Sequence, residues 1–138
     1  MAVSHSQIKE TLRVKLAALP ACPVIAWEGV SFTSPVSGPF LKVDYLPVGV
    51  RQATAGTNGL NELTGIFQVT VCVPDGAGDG GLYRLVDAVL NHFPRGTVLT
   101  ASGGSTVTVS RSVPSPMLDM GGYLSVPVSV YFRSFQTN

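Results

Sequence analysis

The feature that most restricts this chain is an alternation. Leu63, Phe67, Val69, Val71 and Val73 share one parity, while Glu62, Thr64, Gln68 and Thr70 share the other. The pattern returns near the end, where Leu124, Val126, Val128, Val130 and Phe132 oppose Tyr123, Ser125, Ser129, Tyr131 and Arg133. Successive side chains of a strand point to opposite faces, so each run predicts a long strand with one buried and one wet face. Gly65 is expected to mark a bulge, and Pro127, on the wetter parity, a bulge or an edge position.

Two segments have the other period. From about Ser6 to Leu19, the residues Ile8, Leu12, Leu16 and Leu19 recur at helical spacing, with Lys9, Arg13 and Lys15 mostly off the stripe. Ser4 and Gln7 offer a capping box, and Pro20 and Pro23 stop the helix. Leu82, Leu85, Val86, Val89, Leu90 and Phe93 form a second helical stripe, closed by Pro94 and Gly96. Shorter strand-like runs fill the rest. Val24-Ile25-Ala26-Trp27 is one, and Phe40 to Leu46 is another, which Pro47 is expected to close. Thr97 to Ala101 and Ser105 to Arg111 flank a Ser-Gly-Gly turn and read as a hairpin. Residues 48–59 and Ser112 to Gly121 read as loops.

The expected order is therefore α-β-β-β-α-β-β-β, with few helical crossovers. That favours an α+β fold, a mixed or antiparallel sheet with both helices packed on it, over a doubly wound parallel fold. The 138 residues suffice for a single domain spanning 1–138, and no internal repeat suggests otherwise.

Composition then limits function. Hydrophobic residues make up 45% of the chain but charged residues only 12%, about half the share typical of soluble domains. With a net charge of +1, such a surface has little repulsion to keep copies apart, and burial against neighbours resolves this. Nine basic against eight acidic residues cannot build the positive field that phosphate binding needs, so sequence-specific nucleic-acid binding is not expected. No apolar run approaches the length of a membrane span, and charges at Lys9, Glu10, Arg13 and Lys15 interrupt any secretory signal. The protein is expected to be soluble and unexported, with Cys22 and Cys72 as reduced thiols rather than a metal or redox pair.

The catalytic lures are weak. Gly76-Ala77-Gly78-Asp79-Gly80-Gly81 matches a dinucleotide fingerprint, yet the acidic residue expected about twenty positions later is missing. Asp75 and Asp79 would also repel a pyrophosphate, and a flexible strand-to-helix turn accounts for the glycines. His5 and His92 have no partner at metal or triad spacing, and His92 reads as a helix C-terminal residue meeting the last carbonyls. No enzyme and no cofactor is expected. Residues 62–87 carry Glu62, Asp75, Asp79 and Asp87 against Arg84 alone, while the first helix is net basic. Such opposite patches could meet across a heterologous interface, or simply face water.

Four segments carry a family resemblance: Ile25-Ala26-Trp27-Glu28-Gly29-Val30 with Phe32-Thr33, Gly65 to Val71, Phe93-Pro94-Arg95-Gly96-Thr97, and Gly122 to Val130. Together they resemble small phage proteins similar to the tail terminators of lambda-like siphophages. The resemblance implies a virion structural protein, assembled in the bacterial cytoplasm as a ring, usually a hexamer. That ring caps the head-proximal end of the tail tube, stops its growth and presents a surface to the head connector or stopper. Its implied partners are copies of itself, the tube protein and the connector, with a lumen open to DNA passage. No catalytic residue comes with it. The long loops suggest the interface residues: Arg51, Gln52, Thr57, Asn58 and Glu62 in and beside the first, Arg111 and Asp119 in the second, reaching into a neighbouring ring. Another connector or a minor tail or tube protein shares this physics, and a small-ligand binding domain is the distant alternative.

Overall fold

The computed structural model describes residues 5–20, 22–27, 38–52, 60–74, 80–101, 106–119 and 122–137. Through these the chain runs α1 (His5–Ala17), β1 (Val24–Ala26), β2 (Phe40–Gln52), β3 (Leu60–Pro74), α2 (Gly80–His92), β4 (Val98–Thr100), β5 (Thr106–Pro114), β6 (Leu118–Asp119) and β7 (Tyr123–Thr137). The expected α+β order is present, with β6 added inside a stretch that reads as loop. The strands form one mixed sheet in the order β1-β2-β3-β7-β5-β4, with β6 paired to β7 off that path. β1 runs parallel to β2, and every other pairing is antiparallel.

The two alternating runs become the spine. β3 and β7 pair along their whole lengths, from Leu60↔Thr137 to Pro74↔Tyr123, with no register shift. This register puts Leu63, Phe67, Val69, Val71 and Val73 on the face that also carries Leu124, Val126, Val128, Val130 and Phe132. Both helices lay their stripes there: Ile8, Leu12 and Leu16 from α1 and Leu82, Val86 and Val89 from α2 join these strand residues in one buried cluster, with Leu124 half-buried against it. Each such aliphatic side chain contributes about 1.5–3 kcal/mol on burial. The opposite face of the sheet carries no helix among the described residues.

Several boundaries differ from expectation. β2 does not stop at Pro47 but continues to Gln52, pairing with β3 as far as Asn61. A bulge between Pro47 and Gly49 absorbs the proline, leaving Val48 without a partner in the β3 ladder. β5 likewise extends past Arg111 to Pro114, helped by a bulge between Val109 and Arg111. Gly65 pairs with Pro47, and it is glycine because a Cβ there would meet the Phe132 ring at 2.6 Å and the Leu46 carbonyl at 3.0 Å.

Pro127 makes no bulge, since its ladder to Thr70 is unbroken. Its carbonyl accepts the Ser115 amide at 2.8 Å, and a strand residue turns its N and C=O to one side. The missing N–H therefore faces the gap where β5 has ended and β6 has not begun, so no ladder bond is lost. His92 does not meet its own helix's last carbonyls. Its Nε2 bonds to the carbonyl of Lys15, tying the C-terminal turns of α1 and α2 together. The capping residue Ser4 lies outside the described residues.

Candidate assembly interface

On the helix-free face the polar parities of β2, β3, β5 and β7 line up in cross-strand rows. Arg51 stands directly opposite Glu62 in the register, and its guanidinium donates to the Glu62 carboxylate at 2.9 Å. Two further arginines on this face lie over aromatic rings. The guanidinium of Arg111 is 4.2 Å from the centre of the Tyr131 ring, and that of Arg133 is 6.0 Å from that of Phe135. At the other end of the face a groove of about 370 Å³ runs between Lys42, Asp44, Thr70, Cys72, Leu118 and Pro127. Burial pushes the Cys72 thiol up to about 11, with the Lys42 ammonium pulling the other way. A thiol so held is protonated and unreactive at neutral pH.

The structure distributes the expected interface residues unevenly. It joins Arg51 and Glu62 as an ion pair, on strands rather than in a loop. Gln52 ends β2, Arg111 lies within β5 rather than at the start of a loop, and Asp119 is exposed on β6. Thr57 and Asn58 lie outside the described residues. Of the acidic residues in 62–87, Asp87 sits on α2, on the opposite side of the sheet from Glu62, while Asp75 and Asp79 lie outside the described residues. Most of the glycine-rich motif is also outside them, and its last two glycines begin α2. Cys22 and Cys72 are both free thiols. Among the described residues no three His, Cys, Asp or Glu side chains gather as a metal site, and no helix is long and apolar enough to cross a membrane.

The sequence reading misses the apolar margins of the sheet. β1 covers only Phe40–Lys42 of β2, so from Leu46 to Arg51 the outer edge of β2 has no strand beside it among the described residues. Leu46 lies there on the helix-free face, opposite Ile66, and Val50 on the helix-bearing face, opposite Leu63, with Val48 in the bulge between them; Val48 is 69% and Val50 55% exposed. At the far margin, three-residue β4 is outermost, with Val98 60% exposed. Beside it α1 leaves a groove of about 450 Å³ lined by Glu10, Val14, Ala18, Leu99 and Thr100. The period-two spacing of Leu46, Val48 and Val50 suggests one shared face, but the bulge at Pro47 and Gly49 separates them onto two.

A chain with a saturated core, apolar sheet margins and few charges is built to touch other proteins. The sequence matches the phage tail terminator protein family over residues 7–132. The chain belongs to that family. No curated protein matches the sequence. Among solved structures, one chain known by a sequence label rather than a functional name has 24% identity and a TM-score of 0.71, over 98% of this chain and 97% of its own. That likeness shows the fold. As a family member the terminator-like chain is a structural component of the phage tail, a family whose members work by contact with other tail and head proteins rather than by catalysis.

Proposed function

We propose that this protein forms a ring, hexameric as in the lambda-like terminators it resembles, that seats on the head-proximal end of the tail tube. There it stops further polymerisation and offers the surface on which the head connector docks. The family match along residues 7–132 carries this reading. The sheet supports it physically: a growing tube exposes edges and apolar patches that match the next ring, and a terminator must match one side while denying the other. Asp119 on β6 and Thr57 and Asn58 in the β2–β3 connection are the residues we assign to the faces toward tube or head.

Electron microscopy of the purified protein, alone and mixed with tail tubes, tests the reading. The expected images show rings alone, and with tubes a single ring at one end, after which added tube protein no longer lengthens the capped end. Stacking into long cylinders would instead make the protein a tube subunit. Persistence as a monomer with no affinity for tubes would refute both.

A further inference from the structure

The helix-free face carries its charge unevenly. Among the described residues it holds Lys42, Arg51, Arg111 and Arg133 against Asp44 and Glu62, so the net charge of +1 conceals a local positive surplus. The two carboxylates leave that surplus standing. Glu62 is already taken by Arg51, and Asp44 lies two residues from Lys42, in rows nearer the other end of the strands. Arg111 and Arg133 form no ion pair among the described residues, and each is held over an uncharged ring, Tyr131 and Phe135 respectively. A ring steadies a guanidinium without cancelling its charge and leaves N–H groups to donate. Thr108 stands opposite Arg133, and Arg111 opposite Tyr131, which makes the two arginines diagonal neighbours about 7–8 Å apart. Arg51 lies two strands from β7, across Glu62 and Phe135, about 12 Å from Arg133 by strand spacing. The three form a slanting stripe of about 20 Å, with Thr64, Thr106 and Thr108 beside it.

We infer that this stripe binds the phosphate backbone of duplex DNA without regard to sequence. Overall charge balance rules out a strong field around the whole chain, but not a local line of cations. A duplex carries one charge per about 1.7 Å of axis, so it offers phosphates to the stripe in any register. Guanidiniums match phosphate oxygens bidentately, and threonine hydroxyls donate to the same oxygens. An acidic protein would instead have to place its carboxylates one by one opposite three spaced cations, which favours nucleic acid as the occupant. This face carries no helix among the described residues to enter a groove, so base edges go unread. Three cations give weak contact that is readily broken and remade, which lets a duplex move along the face. The inference deepens the ring reading above, on which it rests for gathering the helix-free faces of several copies around one duplex. The contact itself belongs to the single chain.

The full chain is titrated into a labelled duplex of arbitrary sequence and followed by fluorescence anisotropy at several salt concentrations, each variant being melted first to confirm folding. Binding is expected with a dissociation constant of about 10⁻⁴–10⁻⁶ M, equal for unrelated sequences and weakening steeply with salt. Arg111→Ala with Arg133→Ala is expected to weaken it about tenfold or more and to flatten the salt dependence. Arg111→Lys with Arg133→Lys keeps the charge and is expected to retain most of the binding. Arg84→Ala removes an exposed charge from α2, on the other side of the sheet, and is expected to leave binding unchanged. No loss in the alanine pair, or an equal loss in Arg84→Ala, overturns the stripe. So does displacement of the duplex by polyglutamate as effectively as by DNA at matched charge, which would make the partner an acidic protein. Electron microscopy of the same samples separates this from the ring reading. Wild-type rings that cap tubes yet bind no duplex overturn the stripe alone, whereas arginine-dependent binding by a chain that forms no ring supports the stripe and removes the ring.

Discussion

At the residue scale, the most informative side chain is one that is missing. Gly65 lets the Phe132 ring cross β3 beneath Leu46, so Gly65→Ala forces that ring or the strand to move. The expected cost is about 1–3 kcal/mol, read as a lower denaturant midpoint in monomeric conditions. Buried titratable groups make a second prediction. Burial raises Cys72 from 9.0 to about 11 and Tyr45 from 10.0 to about 12. Above pH 9 the unfolded chain gives up protons that the folded chain still holds, so stability declines as pH rises toward 12. The contribution is fully present below pH 9. Cys72→Ala should flatten the part of that decline between pH 9 and 11 in urea titrations, leaving the Tyr45 part. His92 makes a third: His92→Ala removes the tie to the Lys15 carbonyl and should cost about 1 kcal/mol. Little of this was legible beforehand. Gly65 pointed to a bulge, and one lies across from it between Pro47 and Gly49 of β2, while only the three-dimensional approach of Phe132 shows why a Cβ is excluded there. The Arg51–Glu62 pair depends on a bulged register that spacing alone does not reveal.

At the element scale, periodicity was the reliable guide and proline the misleading one. The stripes of α1 and α2 and the alternation of β3 and β7 appear as buried faces because each is long enough for its period to dominate. Pro47 and Pro127 read as interruptions, yet one is absorbed by a one-residue bulge and the other faces a gap between two neighbouring strands. β1 was legible as a strand, but its parallel pairing was not, since direction is set by the residues that connect it to β2. The stripe of α1 invites a direct check. Leu12 is fully buried within the shared cluster, so Leu12→Ala is expected to cost about 2–5 kcal/mol, measured by chemical denaturation. Val14, on the exposed side of the same helix, should tolerate Val14→Ala at under about 0.5 kcal/mol in the monomer. Any larger effect on assembly would then report a contact at the groove beside α1 rather than the fold.

At the scale of the whole molecule, the low charge content led to an expectation of contact with neighbours, but the sequence could not say where. Of the acidic segment, Glu62 and Asp87 lie on opposite sides of the sheet, and the apolar margins became visible only once strand order placed β2 and β4 toward the ends of one sheet. If copies associate through native surfaces, folding and association are linked, and the melting temperature should rise with protein concentration. Calorimetry across a hundredfold dilution checks this, and a constant value would argue for an isolated subunit. The position of β7 bears on timing during synthesis. β7 follows β3 and β5 in the chain yet lies between them in the sheet, so before residue 123 is made the chain has both halves of the sheet but nothing to join them. The two halves therefore become one sheet only once this fifteen-residue strand has slotted home, so folding waits on its synthesis rather than proceeding strand by strand.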